Sequence, residues 1–473
     1  METTSSALSL FERFNRWIQE SIMVKLSSIG FLIIILLIPT SWIGDMISER
    51  QDRADQVMTE IADKWSGNQT MAGPILVIPF RKQDVIDHGI NGKEIHEHVE
   101  KMFFLPDDLT INGKIKPEIL HRGIFDAVVY ESNLAVKSTF DVPDFTSTNT
   151  PDEMILWKDA HIIFGVNDLR GISDNPKIIV GGRSYDATPS NNIGVSMTNL
   201  KREQTSGNAY VTPRSNTDLS TKGIVVKLGW ENASSFQKDV AINLSLKGSQ
   251  NLHFIPAGKT TTVQLTSPWQ NPSFDGEFLP ASREINENGF TATWKVLHFN
   301  RPFSQQWTDN NQQLSGADFG VTLLLPVDQY QKSMRTSKYG VLIILLTFVA
   351  LFLVEITQKI RIHPFQYILI GAALTIYYTL LLSLSEHIGY NIAYAIASVA
   401  TVLMISLYSI SFLRSTRLTT LFTGLLFIFY TFIFVIIQQQ DYSLLLGSIG
   451  LFLIVGFLMY FSRKVNWYHE ATA

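Results

Sequence analysis

Hydrophobic residues are unevenly distributed along the chain. One uncharged apolar run covers residues 26–43, and further apolar runs follow one another closely between residues 339 and 461. A run of about 18 uncharged apolar residues is long enough to cross a bilayer as a helix. The pattern predicts six membrane-spanning helices, at residues 25–43, 339–356, 365–384, 391–413, 418–437 and 441–461.

A charged amphipathic segment, residues 44–65, follows the first apolar run. Its apolar positions recur at helical spacing from Ile47 to Trp65. Glu49 precedes Arg53 by four positions, which is the favourable order for an ion pair on a helix surface. We therefore expect the first membrane helix to continue into water as a stalk.

Residues 66–338 have a different sequence pattern. Short apolar runs alternate there with Gly, Pro, Asn and Asp, which predicts a β-rich domain of the antiparallel sandwich type rather than alternating α/β units. The strands around Asn91-Gly92 are typical of a hairpin with a two-residue turn, in which His96 would face Asp87. The predicted fold class is thus a polytopic α-helical membrane protein with a large β-rich domain inserted between its first two spans.

The distribution of Lys and Arg predicts the orientation. Basic residues precede the first span, lie between the second and third and between the fourth and fifth, and follow the sixth. The short loops 385–390 and 438–441 contain neither Lys nor Arg. Because short basic loops stay in the cytoplasm, we expect the terminal segments 1–24 and 462–473 to be cytoplasmic and the β-rich domain to lie on the outer side of the membrane. No Ala-x-Ala cleavage site follows the first span, so it is interpreted as an uncleaved anchor.

Composition and charge exclude several classes of function. The net charge is −4 and no basic stripe is present, so a nucleic-acid partner is not expected. The chain has no cysteine, which excludes disulfides, thiolate catalysis and cysteine metal sites. Ionisable residues are nearly missing from the spans, which argues against an ion-coupled pump and leaves open the handling of an apolar ligand.

Two local patterns suggest chemistry, and neither is supported by its context. His96 and His98 place two imidazoles on one strand face, as in metal sites, but no third ligand is evident. Ser235 and Lys238 match the Ser-x-x-Lys element of penicillin-recognising enzymes, with Ser-Asp-Asn at residues 173–175. The order of these elements is reversed and no Lys-Thr-Gly follows. We therefore predict no catalytic residue, cofactor or metal ion.

Motifs at both ends of the chain, and one inside it, resemble the CreD family of inner-membrane proteins. The motifs are Leu37-Ile-Pro39, Ile47-Ser-Glu49-Arg50, Trp65-x-x-x-Gln69-Thr-x-x-Gly73-Pro74, Asp168-Leu-Arg170-Gly171-Ile172, Asp441-Tyr442, Gly447-Ser448, Met459-Tyr460-x-x-Arg463 and Trp467-Tyr468. The order and spacing of these motifs agree with those of the family over essentially the full chain. The resemblance implies an envelope-integrity protein of the Gram-negative inner membrane, linked to envelope stress and to antibiotic or colicin tolerance. It implies no catalytic site.

Six charged or polar positions in these motifs are candidates for contacting a partner or ligand. They are Asp168, Arg170, Glu49, Arg50, Trp65 and Gln69. For Asp168 and Arg170 two interpretations stay open: an ion pair that fixes a turn after a strand, or a polar binding site for an envelope ligand.

The leading functional hypothesis is a non-enzymatic inner-membrane protein whose twice-tethered periplasmic domain binds an envelope protein, a lipid or a glycolipid. The alternative is lipid or hydrophobic-compound handling through the helix bundle, and a periplasmic hydrolase is a further alternative. The lipid bilayer is an expected partner, and assembly into a homo-oligomer is left open.

Overall fold

The computed structural model describes residues 22–87, 93–197, 221–308, 313–325, 329–358, 360–439 and 442–463. The chain divides into a helical unit, residues 1–55 with 327–473, and a β-rich unit, residues 56–326. The bounds predicted from the sequence, residues 44–65 for the stalk and 66–338 for the β-rich domain, stay predictions. The helix at 329–338 groups with the helical unit because it is amphipathic and buries Tyr330, Ser333 and Thr336.

The helices are numbered in chain order. They are α1 Ile22–Trp65, α2 Gln329–Lys338, α3 Gly340–Gln358, α4 Pro364–Ile388, α5 Tyr390–Leu413, α6 Thr416–Gln438 and α7 Ser443–Ser462.

Five helical stretches among the described residues are long and apolar enough to cross a membrane. They are Met23–Trp65, Gln329–Gln358, Pro364–Ile388, Tyr390–Leu413 and Thr416–Gln438. These correspond to the first five predicted spans. The apolar stretch in α7, Leu445–Phe457, is shorter, so the sixth span stays a prediction. The terminal segments before residue 22 and after residue 463 lie outside the described residues.

An ion pair with a buried carboxylate lies inside the helical unit. Glu355 is 4% exposed, and its carboxylate accepts hydrogen bonds from Lys25 Nζ at 2.7 Å and the Tyr367 hydroxyl at 3.1 Å. The backbone N–H of Ile362 adds a third at 3.3 Å. A buried charge is tolerated when its remaining lone pairs are satisfied in this way. The pair links the first turn of α1 to α3 and α4.

The β-rich unit contains seventeen strands in its described part. They are β1 Gln69–Asp87, β2 Lys93–Phe104, β3 Asp108–Arg122, β4 Phe125–Thr139, β5 His161–Val166, β6 Lys177–Val180, β7 Arg183–Asp186, β8 Thr188–Ser190, β9 Gly223–Lys227, β10 Asp239–Ser249, β11 Asn251–Ile255, β12 Thr260–Ser267, β13 Pro272–Gly276, β14 Ser282–Asn286, β15 Gly289–Leu297, β16 Gln306–Trp307 and β17 Phe319–Leu323.

These strands form two sheets that share one hydrophobic core. The first has the order β13-β17-β11-β1-β5-β9-β8, with β2 paired to β1 and β16 paired to β2. The second has the order β14-β15-β12-β3-β4-β10-β6-β7. Residues alternate between buried and exposed along β3 and β12, as in a sheet with one solvated face. The inward side chains of both sheets, including fully buried Trp294 and Phe254, form one cluster.

The β-rich prediction is confirmed, and the pairing is mainly antiparallel. Two pairs are parallel: β1 with β11, and β3 with β12. Both join strands that are far apart in sequence, and hydrophobic alternation carries no information on the direction of such a partner. Sequence patterns therefore did not reveal them.

The predicted register of the first hairpin is wrong. Asp84 pairs with His96 and Asp87 pairs with Lys93, so the connection spans residues 88–92, which include Asn91-Gly92 and lie outside the described residues. Ile95, next to His96 on β2, is 60% exposed. The register is determined by the inner half of the hairpin, where β1 and β2 are buried, while the outer half extends past the core.

A charged cluster joins three strands of the first sheet. His253 on β11 is 9% exposed, with Nδ1 3.0 Å from Asp318 Oδ2 and Nε2 2.9 Å from Asp275 Oδ1 on β13. The Thr322 hydroxyl on β17 donates to Asp275 at 2.7 Å. Burial alone lowers the pKa of the imidazole, but the hydrogen bonds and charges of the two carboxylates outweigh it and raise the pKa of His253 to about 9.

The free energy of unfolding of this sheet edge should decrease as the pH rises above about 6.5. Because the folded pKa of His253 exceeds its ordinary value of 6.5, the stabilisation is complete below pH 6.5 and is lost as the pH rises through about 9. Hydrogen exchange of β11, β13 and β17 in the full chain between pH 6 and 10, corrected for intrinsic exchange, measures this. His253→Gln should remove the pH dependence. The control His298→Gln changes a histidine that forms no ion pair in the described part of the chain. An unchanged pH dependence in His253→Gln contradicts the prediction.

Candidate functional site at the end of the first helix

Four of the six candidate residues lie together in the β-rich unit, where α1 ends. Trp65 is the last residue of α1 and Gln69 is the first residue of β1. Asp168 caps a short 3₁₀ helix, Leu169–Gly171, that follows β5 and contains Arg170. We call Trp65 to Gln69, Asp168 to Gly171 and Lys247 of β10 the helix junction.

The Asp168 carboxylate is the centre of the helix junction. It accepts hydrogen bonds from the backbone N–H of Arg170 at 3.1 Å, as a capping aspartate commonly does. It also accepts from the backbone N–H of Gly67 at 3.0 Å and the Ser66 hydroxyl at 3.3 Å. The Arg170 guanidinium donates to both carboxylate oxygens, through Nη2 at 2.8 Å and Nε at 3.0 Å. One side chain thus binds the residues that follow α1 and the turn that follows β5.

These contacts fix the charge of Asp168. Burial alone raises the pKa of its carboxyl group, but the hydrogen bonds from the Arg170 side chain and from the Gly67 and Arg170 amides, with the charge of Arg170, outweigh burial. The pKa lies well below the usual range for aspartate. Asp168 therefore remains ionised at physiological pH, where it acts as a hydrogen-bond acceptor and not as a proton donor.

Cations surround the carboxyl end of α1. Arg170 Nη1 donates to the backbone carbonyl of Asp63 at 2.5 Å, one of the last-turn carbonyls that lack a partner within the helix. The Lys247 ammonium lies 4.3 Å from the centre of the Trp65 ring, and Lys64 is also in the last turn. Positive charge at a helix carboxyl end is favourable because it opposes the helix dipole. The helix junction thus stabilises the end of α1.

Gln69 connects three segments from inside the β-rich unit. Its side chain is fully buried, and its Nε2 lies 2.9 Å from the Ser66 hydroxyl, 3.0 Å from the carbonyl of Asp168 and 3.0 Å from the carbonyl of Lys247. Its Oε1 accepts from the backbone N–H of Asp168 at 3.2 Å. Both ends of the amide are therefore engaged in internal hydrogen bonds, as buried amides require.

The absence of a side chain at Gly171 makes this arrangement possible. A Cβ there would lie 2.3 Å from the carbonyl oxygen of Lys247, 2.5 Å from Gln69 Nε2 and 2.8 Å from the Ser66 hydroxyl. Gly67, in contrast, has only Asp168 Oδ2 nearby, at 3.9 Å. Gly171 therefore allows the turn after β5 to approach β10 and Gln69 closely.

The remaining two candidates lie in the helical unit. Arg50 Nε is 3.9 Å from a carboxylate oxygen of Glu386, and Glu49 is exposed. The six candidates therefore do not form one cluster, and their role in binding stays a prediction. The ion pair of Asp168 with Arg170, one of the two interpretations of that motif, is present.

Sequence reasoning missed Ser66, Gly67, Gly171 and Lys247 as parts of the site. Gly171 is a named position of a recognised motif, and Ser66 and Gly67 lie between Trp65 and Gln69 in another, so their polar or helix-ending character was a usable signal. Lys247 lies 178 residues from Gln69 on a strand with no distinctive motif, so only the fold reveals it.

The two hairpin histidines are exposed and lie beside carboxylates. His96 is 3.1 Å from Glu94, and His98 is within 3.4 Å of Asp84 and 3.1 Å of Glu100. Across the described ranges, no group of three or more His, Asp or Glu is arranged to hold a metal ion.

Gly171→Ala should loosen the helix junction, because the new methyl group overlaps a backbone carbonyl. We expect a loss of about 1–3 kcal/mol in the free energy of unfolding of the β-rich unit, as for other overpacked sites. Faster hydrogen exchange in residues 56–69 of the full chain would show the local loosening. Gly67→Ala is the matched control, since its methyl group meets ordinary space. Equal exchange in the two variants would refute the argument.

Asp168→Asn and Arg170→Gln should each weaken the helix junction, and the double variant should be little worse than either. The reason is that both changes remove the same ion pair, so their effects are not additive. Hydrogen exchange of residues 56–69 is measured in the wild type, the two single variants and the double variant, which together form a double-mutant cycle. Arg81→Gln, which breaks an exposed pair with Glu97 at 3.2 Å, should have little effect. Strictly additive losses would contradict the shared interaction.

Comparison with known proteins agrees with this arrangement of motifs. The sequence model of the family described as "Inner membrane protein CreD" matches residues 21–468. The chain is 31% identical over 454 residues to the inner membrane protein CreD of Escherichia coli (strain K12), and the match covers 94% of this chain and 93% of the relative. The chain is therefore a multi-pass inner-membrane protein of the CreD family.

Proposed function

We propose that the protein supports the integrity of the bacterial cell envelope without catalysing a reaction. In this proposal the β-rich unit lies in the periplasm and binds an envelope partner, and α1 communicates the bound state to the membrane. The observation that carries the proposal is the direct bonding of the end of α1 to the β-rich unit through Asp168, Arg170 and Gln69.

The length of α1 supports this role. It contains 44 residues, and at 1.5 Å per residue it is about 66 Å long. The hydrocarbon core of a bilayer is about 30 Å thick, so α1 is about twice as long as a membrane crossing requires. Its second half is charged, which suits a position in water.

The chemistry of the helix junction also supports a mechanical role. Asp168 and Gln69 direct their polar atoms to neighbouring segments, and the low pKa of Asp168 keeps its charge constant. A site of this kind has no proton to exchange near neutral pH. It holds the end of a helix in a defined place relative to strands β1 and β10, so a change in these strands reaches α1.

Complementation tests this proposal. A strain of the source bacterium lacking the chromosomal copy would receive the wild type, Gly171→Ala or Gly67→Ala, and survival under an antibiotic or a colicin would be scored. We expect Gly171→Ala to fail at a normal membrane level and Gly67→Ala to succeed. Full survival with Gly171→Ala, while hydrogen exchange shows a loosened helix junction, would overturn the mechanical role.

Photocrosslinking in cells separates partner binding from lipid handling. A photoreactive residue at the exposed position Ser173, beside the helix junction, would be compared with one at Val142, which is 75% exposed. A protein or glycolipid adduct specific to position 173 supports the proposal. Phospholipid adducts without a protein or glycan partner would favour the alternative, in which the helices handle lipids or hydrophobic compounds.

A further inference from the structure

A polar groove of about 790 Å³ crosses the solvated face of the second sheet. Strands β12, β3, β4, β10 and β6 form its floor, and the segment before β6, which includes Asp174, borders it. Its volume is in the range of small-molecule sites, but such sites are usually lined by apolar side chains. Ten of the sixteen residues that line this groove carry an amide, a hydroxyl or an ammonium group, and these groups are set among the aliphatic carbons of the sheet surface. Such a lining suits a ligand that has both polar groups and C–H faces.

The strand register aligns these side chains in two parallel rows. In the first row Gln264 pairs with Asn112, and Asn243 pairs with Lys177, with the small Ala135 between the two pairs. Neighbouring strands are about 4.8 Å apart, so five strands span about 19 Å. The row is therefore a straight series of hydrogen-bonding groups long enough for an extended chain of several units.

The second row lies two residues further along the strands, on the same face. Lys114 pairs with Asn133 and Thr266, and Asn133 pairs with Ser245. The Ser245 hydroxyl donates to Asn133 Oδ1 at 3.0 Å, which leaves the Asn133 amide hydrogens directed elsewhere. The two rows together place hydrogen-bond donors and acceptors side by side on one face of the sheet.

The asparagines stand at positions where strand formation disfavours them. Asn112, Asn133 and Asn243 occupy the interiors of three adjacent strands, although Asn is depleted in strands because its side chain competes with the backbone. Residues that are unfavourable for the local secondary structure, and that do not improve core packing, tend to be functional. Three such residues on one face therefore argue for a ligand rather than an ordinary solvated surface.

The groups in the groove are available for a ligand. Asn112, Asn243 and Gln264 are exposed, and no side-chain hydrogen bond of theirs is found in the described part of the chain. Lys114 and Lys177 likewise form no ion pair there, unlike Lys82 and Lys259 elsewhere on the unit. Two lysines and one aspartate give the lining a formal charge of +1, which suits a weakly acidic ligand.

We propose that this groove binds a weakly acidic oligosaccharide. Sugar hydroxyls both donate and accept hydrogen bonds, and an amide side chain provides one donor group and one acceptor group for a neighbouring pair of hydroxyls. A sugar carboxylate pairs with Lys114 or Lys177. This inference rests on the proposed function, because it names the chemical class of the partner that the β-rich unit binds.

The position of the groove disfavours other partners. A peptide strand would add to a sheet edge, whereas the groove lies across the middle of a sheet face. A strongly anionic polymer requires many more cations than a lining of +1 provides.

Calorimetric titration of the full chain in lipid nanodiscs tests the proposal. The nanodiscs must be assembled without glycoside detergents, which are themselves saccharides. The probes are cellotetraonate, which carries a single carboxylate at its oxidised reducing end, and cellotetraose, which is neutral and of equal length. We expect binding of cellotetraonate, with a lower affinity for cellotetraose.

The double variant Asn112→Val/Asn243→Val should weaken binding by about tenfold or more, since each lost hydrogen bond has a net effect of severalfold. Valine is favoured in strands, so the fold should be retained, and near-ultraviolet circular dichroism checks this. Lys177→Gln, at an exposed position, should weaken binding of the acidic probe alone and carries the test if the double variant misfolds. Lys116→Gln, on the same strand as Lys114 but outside the groove, is the matched control.

Two results would overturn the proposal: no binding of either probe by the wild type, or unchanged binding by the folded double variant and by Lys177→Gln. A preference for the neutral probe would overturn the acidic character of the ligand. None of these three outcomes concerns the helix junction. If complementation still depends on Gly171 while no saccharide binds, the proposed function stands and only this inference fails.

Discussion

The ionised carboxylate of Asp168 is the interaction on which the attachment of α1 depends. It accepts hydrogen bonds from Gly67, Ser66 and Arg170, and two of these residues make a further contact. Arg170 reaches the carbonyl of Asp63 in the last turn of α1, and Ser66 approaches Gln69, whose amide contacts the backbone of β10. Without a full negative charge at this point, the Arg170 guanidinium would lose its ion pair. The stability of the end of α1 is therefore determined by a turn about one hundred residues further along the chain.

Much of the architecture follows from the hydrophobic pattern, and the exceptions have identifiable causes. Uncharged runs predict six spans, of which five are present in the described residues as helices long and apolar enough to cross a membrane. Hydrophobic alternation predicts the β-rich unit. The outer part of the first hairpin was misjudged because Asn91-Gly92 is a strong local signal, whereas buried pairs such as Leu76 with Phe104 determine the register. Local turn preference was outweighed by burial of the inner strand segments. The parallel pairs depend on contacts between distant strands, which periodicity does not encode.

For the candidate site, sequence motifs identified residues without their geometry. Trp65, Gln69, Asp168 and Arg170 do come together, but the contribution of Lys247 through its backbone carbonyl has no signature in its side chain. For the groove on the second sheet, by contrast, no sequence motif identified the residues. Its asparagines were visible in the sequence and carried no motif, and only the register shows that they share one face. Polar residues that satisfy one another stabilise the fold, whereas polar residues without internal partners are available to a ligand.

The parallel pairing of β1 with β11 has a consequence for biogenesis. Gln69 pairs with Leu252, so the first strand of the β-rich unit lacks a neighbour on that side until more than 180 further residues have been synthesised. Pairing over such separations is slow and leaves apolar strand edges uncovered in the meantime. Only residues 69–72 of β1 pair with β11, whereas the rest of the strand pairs with β2 and β5. This short edge, which includes the buried side chains of Met71 and Ala72, therefore stays uncovered longest during synthesis.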